Sequence, residues 1–259
     1  MSVMPIGGVL MEIGAQIYTV REYCKSLEDF SETLKRIADI GYKNVQISGV
    51  CKYEPEWLKA ELQKNGLKCV LTHIKSDQLI NNTLGVIKDH NVFDCEYIGL
   101  GWFSHDSDKE NEGTDDFFRI YRPIAEILKD NNKYLMYHNH DQEFRKINNI
   151  AIMQILAEGM PKDLMGFTLD TFWVQAGGGD PAQWLEKLSD RVPCIHLKDY
   201  AYGKKMSVLG EGNINFDRIF DKAESSNTKY MLVEQDNCNG ENPFDCLKRS
   251  YDYLHSCGF

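Results

Sequence analysis

Four short stretches in the second half of the chain decide its fold: Tyr134-Leu135-Met136-Tyr137-His138-Asn139, Gly166-Phe167-Thr168-Leu169-Asp170, Cys194-Ile195-His196-Leu197-Lys198 and Tyr230-Met231-Leu232-Val233-Glu234-Gln235. Each is too short for a stable helix. Each is built from apolar, aromatic and β-branched residues, the composition of a buried strand. Each also ends in a polar or charged residue, a sharp change of chemistry at the same end every time.

Working outward, runs of the same kind occur at Glu12–Ile17, Asn44–Ser48, Lys68–His73 and Tyr97–Leu100. Amphipathic stretches with helical spacing lie between them. Ser26 is placed to cap a helix in which Leu27, Phe30, Leu34 and Ile37 share a face, and Gly41 is placed to stop it. Pro55 opens a second helix at the position where proline costs little, and Gly66 closes it. Further helices are expected near Leu79–His90, Asp116–Asn131, Asn149–Glu158, Pro181–Leu188, Phe216–Ser225 and Pro243–Ser256. Strand and helix alternating to the end of the chain predict a single-domain α/β fold, the (β/α)8 barrel, over residues 1–259. The doubly wound open sheet is the competing arrangement. The glycine-rich turn expected after its first strand is missing from Gly14-Ala15-Gln16-Ile17.

The 259 residues carry 29 Lys+Arg against 39 Asp+Glu, a net charge of −10. That balance argues against a protein built to grip a nucleic-acid backbone. No apolar run is long enough to span a membrane, and the first residues lack the basic start of a signal peptide. Eight scattered cysteines without a Cys-x-x-Cys pair suit free thiols in a reducing cytoplasm.

In a barrel of this kind, chemistry gathers at the carboxyl ends of the strands. Read in order, those ends present Gln16, Ser48, His73, Gly101-Trp102, His138-Asn139-His140, Asp170, His196-Leu197-Lys198-Asp199 and Glu234. His138, Asp170, His196 and Glu234 follow one another at intervals of 32, 26 and 38 residues, one strand–helix unit each. Neighbouring strands would therefore aim all four at one point. Imidazoles and carboxylates with open positions suit one divalent metal ion: Mn, Co, Zn or Mg. Such an ion can chelate adjacent sugar oxygens and stabilise an enediolate after proton loss. Two-residue alternation points His138 and His140 into the same mouth. Glu143 and Lys198 are further catalytic candidates. His73, His140, Trp102 and Gln16 are candidate substrate contacts, with Phe172 and Trp173 as aromatic walls. The polar loop Trp102–Thr114 is placed to act as a lid.

Several motifs in a fixed order resemble the sugar phosphate isomerase/epimerase family, which has the xylose isomerase-like TIM barrel. They are Gly14–Arg21, Ala38-Asp39-Ile40-Gly41-Tyr42 with Val45–Gly49, Tyr137–Phe144, Leu169-Asp170-Thr171, His196–Asp199, Leu209-Gly210-Glu211-Gly212 and Val233-Glu234. The resemblance implies a metal-dependent isomerase or epimerase of a small sugar, with homodimers common in the group. In the epimerase members, Glu, Asp, His and Glu on the last four strands hold the metal, and the two glutamates move the proton. Asp170, His196 and Glu234 match that set, whereas His138 stands where the first glutamate would be. The departure keeps a metal site but removes one of the two bases, leaving Glu143 or His140 to replace it. Lys198 suits a phosphate, a carboxylate or a developing oxyanion. The loop at Leu209–Gly212 corresponds to one that approaches substrate. A metal-dependent lyase or dehydratase, and a sugar-binding barrel without catalysis, are the alternatives. Abasic-site DNA cleavage shares the fold but runs against the acidic charge.

Overall fold

The computed structural model describes residues 11–105 and 112–259. Its centre is a closed barrel of eight parallel strands: β1 (Glu12–Gln16), β2 (Asn44–Ile47), β3 (Lys68–Ile74), β4 (Tyr97–Leu100), β5 (Tyr134–His138), β6 (Met165–Asp170), β7 (Cys194–Leu197) and β8 (Tyr230–Val233). Each strand pairs with the next, and β8 closes on β1 through Glu12↔Tyr230 to Ala15↔Val233. The expected (β/α)8 barrel is therefore the observed fold.

The barrel interior is filled in layers. At the amino ends of the strands, Tyr97 packs against Tyr134 and Tyr230 with ring centroids 6.3 and 6.4 Å apart. Lys229 and Lys68 extend their ammonium groups to the Tyr97 and Tyr230 hydroxyls, each at 3.0 Å. Above them Leu71, Met136 and Leu232 form an apolar layer. This layer needs glycine opposite it: a Cβ at Gly14 would lie 2.7 Å from Leu232 Cδ2. At the carboxyl ends the interior turns polar, with Gln16, Gln46, Thr168, Asp170 and His196 all buried.

Helices cover the outside, and their caps follow the sequence signals. The Ser26 hydroxyl oxygen accepts the Asp29 N–H at 3.1 Å to start α1 (Leu27–Ile40), and Gly41 ends it at φ +125°. Pro55 opens α2 (Pro55–Asn65) and Gly66 closes it in the left-handed conformation. Two local expectations need correction. The helix expected over Leu79–His90 is two: α3 (Ser76–Asn81) and α4 (Thr83–Val92), broken where Asn82 leaves helical geometry at φ −145°. The helix expected from Asn149 begins at Ile152 (α6, Ile152–Gly159, following α5, Glu112–Asp130). Asn148 and Asn149 both take positive φ and form the two-residue turn of a small hairpin, Lys146–Ile147 with Ile150–Ala151. The loop after β7 carries a second hairpin, Asp199–Ala201 with Lys205–Ser207. Between them, α7 (Thr171–Ala176) and α8 (Pro181–Lys187) follow β6, and α9 (Phe216–Ser225) and α10 (Pro243–Ser256) complete the outer layer.

No helix among the described residues is long and apolar enough to cross a membrane. All eight cysteines are free. The centre of the expected lid, residues 106–111, lies outside the described residues.

His90 on α4 ties the helix to the barrel wall: one ring nitrogen meets Thr72 Oγ1 at 2.8 Å and the other donates to the Val86 carbonyl at 2.7 Å. Burial lowers its pKa from 6.5 to about 4. Between those pH values the unfolded chain takes up a proton at this site and the folded chain does not, so stability falls as pH drops. The loss approaches about 1.4 kcal/mol per pH unit from this group alone. In urea titrations from pH 7 to pH 4, His90→Leu is expected to be less stable than the parent at pH 7 but to lose less on acidification.

Candidate metal centre

His138, Asp170, His196 and Glu234 come together at the carboxyl end of the barrel. One ligand atom from each lies within 4.8 Å of all the others, and all four residues are buried. Strand geometry explains the convergence: His138 ends β5, Asp170 ends β6, His196 is third in β7, and Glu234 follows β8.

Surrounding hydrogen bonds turn particular atoms toward the centre. His196 Nε2 sits 2.6 Å from Gln46 Oε1, an acceptor, so that nitrogen carries the proton and Nδ1 presents a lone pair. Nδ1 lies 2.8 Å from Glu234 Oε2 and 3.8 Å from Asp170 Oδ2. His138 Nδ1 donates to the Gly101 carbonyl at 3.2 Å, which leaves Nε2 facing Asp170 Oδ2 at 3.2 Å. Asp170 Oδ1 caps α7 by accepting the Trp173 N–H at 3.0 Å, so Oδ2 is the oxygen that faces inward. Buried His196 Nδ1 and Glu234 Oε2 make no hydrogen bond of good geometry. Two oriented imidazoles, two carboxylate oxygens and orphaned atoms at their meeting point fit a divalent cation.

Lys198 shares the site. Its Nζ lies 3.0 Å from Asp170 Oδ2, 3.0 Å from Glu234 Oε2 and 2.9 Å from Asp236 Oδ2. Burial by itself would lower the lysine's pKa, but the three carboxylates outweigh it and keep the ammonium charged. Asp170 and Glu234 are opposed in the same way: burial favours their protonated forms, and Lys198 with the histidines overrides it, holding both below the usual carboxylate range. Burial also works against a cationic His196, yet Glu234 and Asp170 raise its pKa, a field that serves a proton or a metal ion alike. Asp236 moves the other way, raised by burial and by the charge of Glu234.

Above this floor opens a cavity of about 650 Å³, whose lining includes His73, Trp102, His138, His140, Trp173, Lys198, Glu234 and Asp236. His73 and His140 are held neutral, mainly by burial, and His140 falls to about 3. His73 Nε2 and His140 Nδ1 are buried without a hydrogen-bond partner. Trp102 stands at the rim, 56% exposed.

Not every candidate reaches the cavity. Gln16 lies beneath its floor, with Oε1 on the Tyr18 N–H at 3.2 Å. Glu143 is fully buried and turned away. Its Oε1 accepts from the Tyr137 hydroxyl at 2.7 Å and from Gln142 Nε2 at 2.9 Å, and its Oε2 accepts the His140 N–H at 2.6 Å. His105 Nε2 lies 3.4 Å from the same Oε1. The carboxylate thus links the loops after β4 and β5 and fixes the backbone of His140, and Glu143 is not among the residues that line the cavity. The loop Leu209–Gly212 folds instead around Asp199, whose carboxylate accepts the N–H groups of Tyr200, Gly210, Gly212 and Ile214 at 2.7–3.2 Å. Sequence reasoning missed Asp236, Gln46 and Arg21. Asp236 was recoverable, since it stands two residues beyond Glu234 and shares its face. Arg21 also lines the cavity, from the 3-10 turn after β1, and donates to the Tyr18 and Asp236 carbonyls at 2.9 and 3.2 Å.

The model of the xylose isomerase-like TIM barrel family matches residues 34–257. The chain belongs to this family. Solved structures share the fold at low identity. A sugar phosphate isomerase/epimerase from Parabacteroides distasonis ATCC 8503 is 21% identical, with a TM-score of 0.79 over 99% of this chain and 96% of its own. A probable 3-DHS dehydratase from Bacillus anthracis is 17% identical, with a TM-score of 0.75 over 95% and 99%. An L-ribulose 3-epimerase is 13% identical, with a TM-score of 0.76 over 95% and 94%. No curated protein matches the chain.

Substitutions at two positions, Gln46 and Glu143, separate these roles. Gln46→Leu removes the acceptor that orients His196, and Co²⁺ affinity measured by calorimetry is expected to fall about 10- to 100-fold. Glu143→Ala leaves Tyr137 and the His140 N–H without their acceptor and should cost about 2–4 kcal/mol of unfolding free energy, with Glu143→Gln closer to the parent. An acid/base role would instead abolish turnover in both variants with stability preserved.

Proposed function

We propose that the chain is a divalent-metal-dependent isomerase or epimerase of a sugar or keto-sugar, working by proton abstraction beside a chelated carbonyl. The observation that carries this reading is the convergence of His138, Asp170, His196 and Glu234 on the floor of a cavity large enough for a sugar. A divalent ion held by these four residues supplies a Lewis acid for adjacent substrate oxygens.

The chain's own residues provide the remainder. Glu234, kept ionised by Lys198, takes the proton from the carbon next to the carbonyl and returns it to the neighbouring carbon of the enediolate, which ends with the carbonyl moved by one carbon and the carboxylate restored. Lys198 keeps its positive charge through the reaction and faces the oxygen on which negative charge develops. His73 and His140, neutral and each with an unpartnered ring nitrogen, receive substrate hydroxyls. Trp173 and Trp102 cover the apolar C–H faces of the ring. This division of labour assigns one carboxylate base to the site, as expected with His138 in the first ligand position. Eight free cysteines agree with a cytoplasmic enzyme.

Elemental analysis of untagged protein should find one Mn, Co, Zn or Mg per chain. Metal-loaded protein incubated with a panel of keto-sugars in D₂O should place deuterium at the carbon beside the carbonyl. Glu234→Gln and Asp170→Asn should each slow that exchange by about 100-fold or more. Undiminished exchange in both variants would defeat the proposal, and loss of water from the substrate would transfer the same site to a dehydratase.

A further inference from the structure

A second cleft of about 370 Å³ opens beside the catalytic cavity, and Trp173 lines both. One wall comes from α7, with Phe172, Trp173 and Ala176. The opposite wall is Lys204, Lys205 and Met206 on the hairpin after β7, and Asn237 and Asn239 close it from the loop after β8.

The cleft is built rather than incidental. Asp199 accepts Gly210 and Gly212 N–H groups at 3.0 and 2.9 Å and thereby fixes the base of the hairpin. Asn239 Nδ2 donates to the Met206 carbonyl at 2.8 Å and joins the two loops. Phe172 sets its edge against Trp173 at 5.0 Å, which holds the indole upright between the two spaces. On its cavity side the same indole meets the His140 ring at 5.2 Å and the Lys198 ammonium at 5.8 Å. Chain continuity links the spaces as well, since Asp236 lines the cavity and Asn237, the next residue, lines the cleft.

Aromatic faces beside amide side chains are the chemistry that receives a pyranose ring: C–H groups pack on the rings and hydroxyls exchange hydrogen bonds with the amides. Asn237 Oδ1 is taken by the Asn239 N–H at 2.8 Å, which leaves its NH₂ group to donate. Resting on the function proposed above, we infer that this cleft is a subsite for a second sugar ring, so that the substrate is a disaccharide or glycoside lying over the edge of Trp173. The reacting ring occupies the metal-floored cavity and the linked ring occupies the cleft. The specificity residues are Phe172, Met206, Asn237 and Asn239, none of which lines the metal-floored cavity.

The test is calorimetric binding of common disaccharides and their constituent monosaccharides to the metal-loaded protein. At least one disaccharide should bind tenfold or more tightly than either constituent. Ala176→Trp, which fills the cleft from α7, should erase that gain and leave monosaccharide affinity unchanged. Met206→Trp fills it from the exposed hairpin and provides the same comparison if the helix variant folds poorly. Disaccharides that bind no better than monosaccharides, or a gain that survives both fillings, would overturn the subsite while leaving the monosaccharide reading intact. A panel in which no sugar binds would overturn both.

Discussion

Three carboxylates meet at the mouth of this barrel, and one lysine makes their burial tolerable. Asp170, Glu234 and Asp236 each place an oxygen within 3.0 Å of Lys198 Nζ. Buried without a cation, these groups would shed their charge by taking up protons, since charge burial is among the most expensive events in folding. The surroundings of the lysine follow from that need. Thr171 accepts the Lys198 N–H at 2.9 Å and donates to its carbonyl at 2.7 Å, which holds the backbone that presents the ammonium. Asn139 Oδ1 accepts the Asp170 N–H at 2.9 Å, and Gln46 Oε1 accepts a hydrogen bond from His196 Nε2 at 2.6 Å. The site is therefore a continuous polar network in which each group constrains the next.

The barrel was legible because parallel strands buried on both faces read as continuous apolar runs, and because each ends where the chain meets solvent chemistry. The group His138, Asp170, His196 and Glu234, which could hold a metal ion, was legible for the same reason: one candidate per strand, one strand per repeat. What could not be read was local. The Asn148-Asn149 turn was hidden inside a stretch with helical spacing, where two left-handed residues override the pattern. Asn82 broke a helix without the glycine or proline that would have announced it.

Glu143 shows a different limit. A carboxylate just past a histidine motif invites a catalytic role, and only three-dimensional packing reveals that Tyr137, Gln142 and the His140 backbone already consume its oxygens. Tyr137 points outward from β5 while His138 points inward, so one motif serves two compartments. The residue stabilises the rim on which His140 stands. Gln46 carries the complementary lesson: a neutral amide in an early strand looks inert until it is found 150 residues away in sequence from the imidazole it orients.

The Asp199 carboxylate, clasped by four backbone N–H groups, has a consequence for how such a protein can diversify. It anchors the arm after β7 at its root and leaves the tip, where Tyr202 is 90% exposed, attached to little else. Insertions and substitutions at that tip would be absorbed before they reached the barrel. The arm can therefore change in length and composition at its tip while the charged floor beneath stays unaltered.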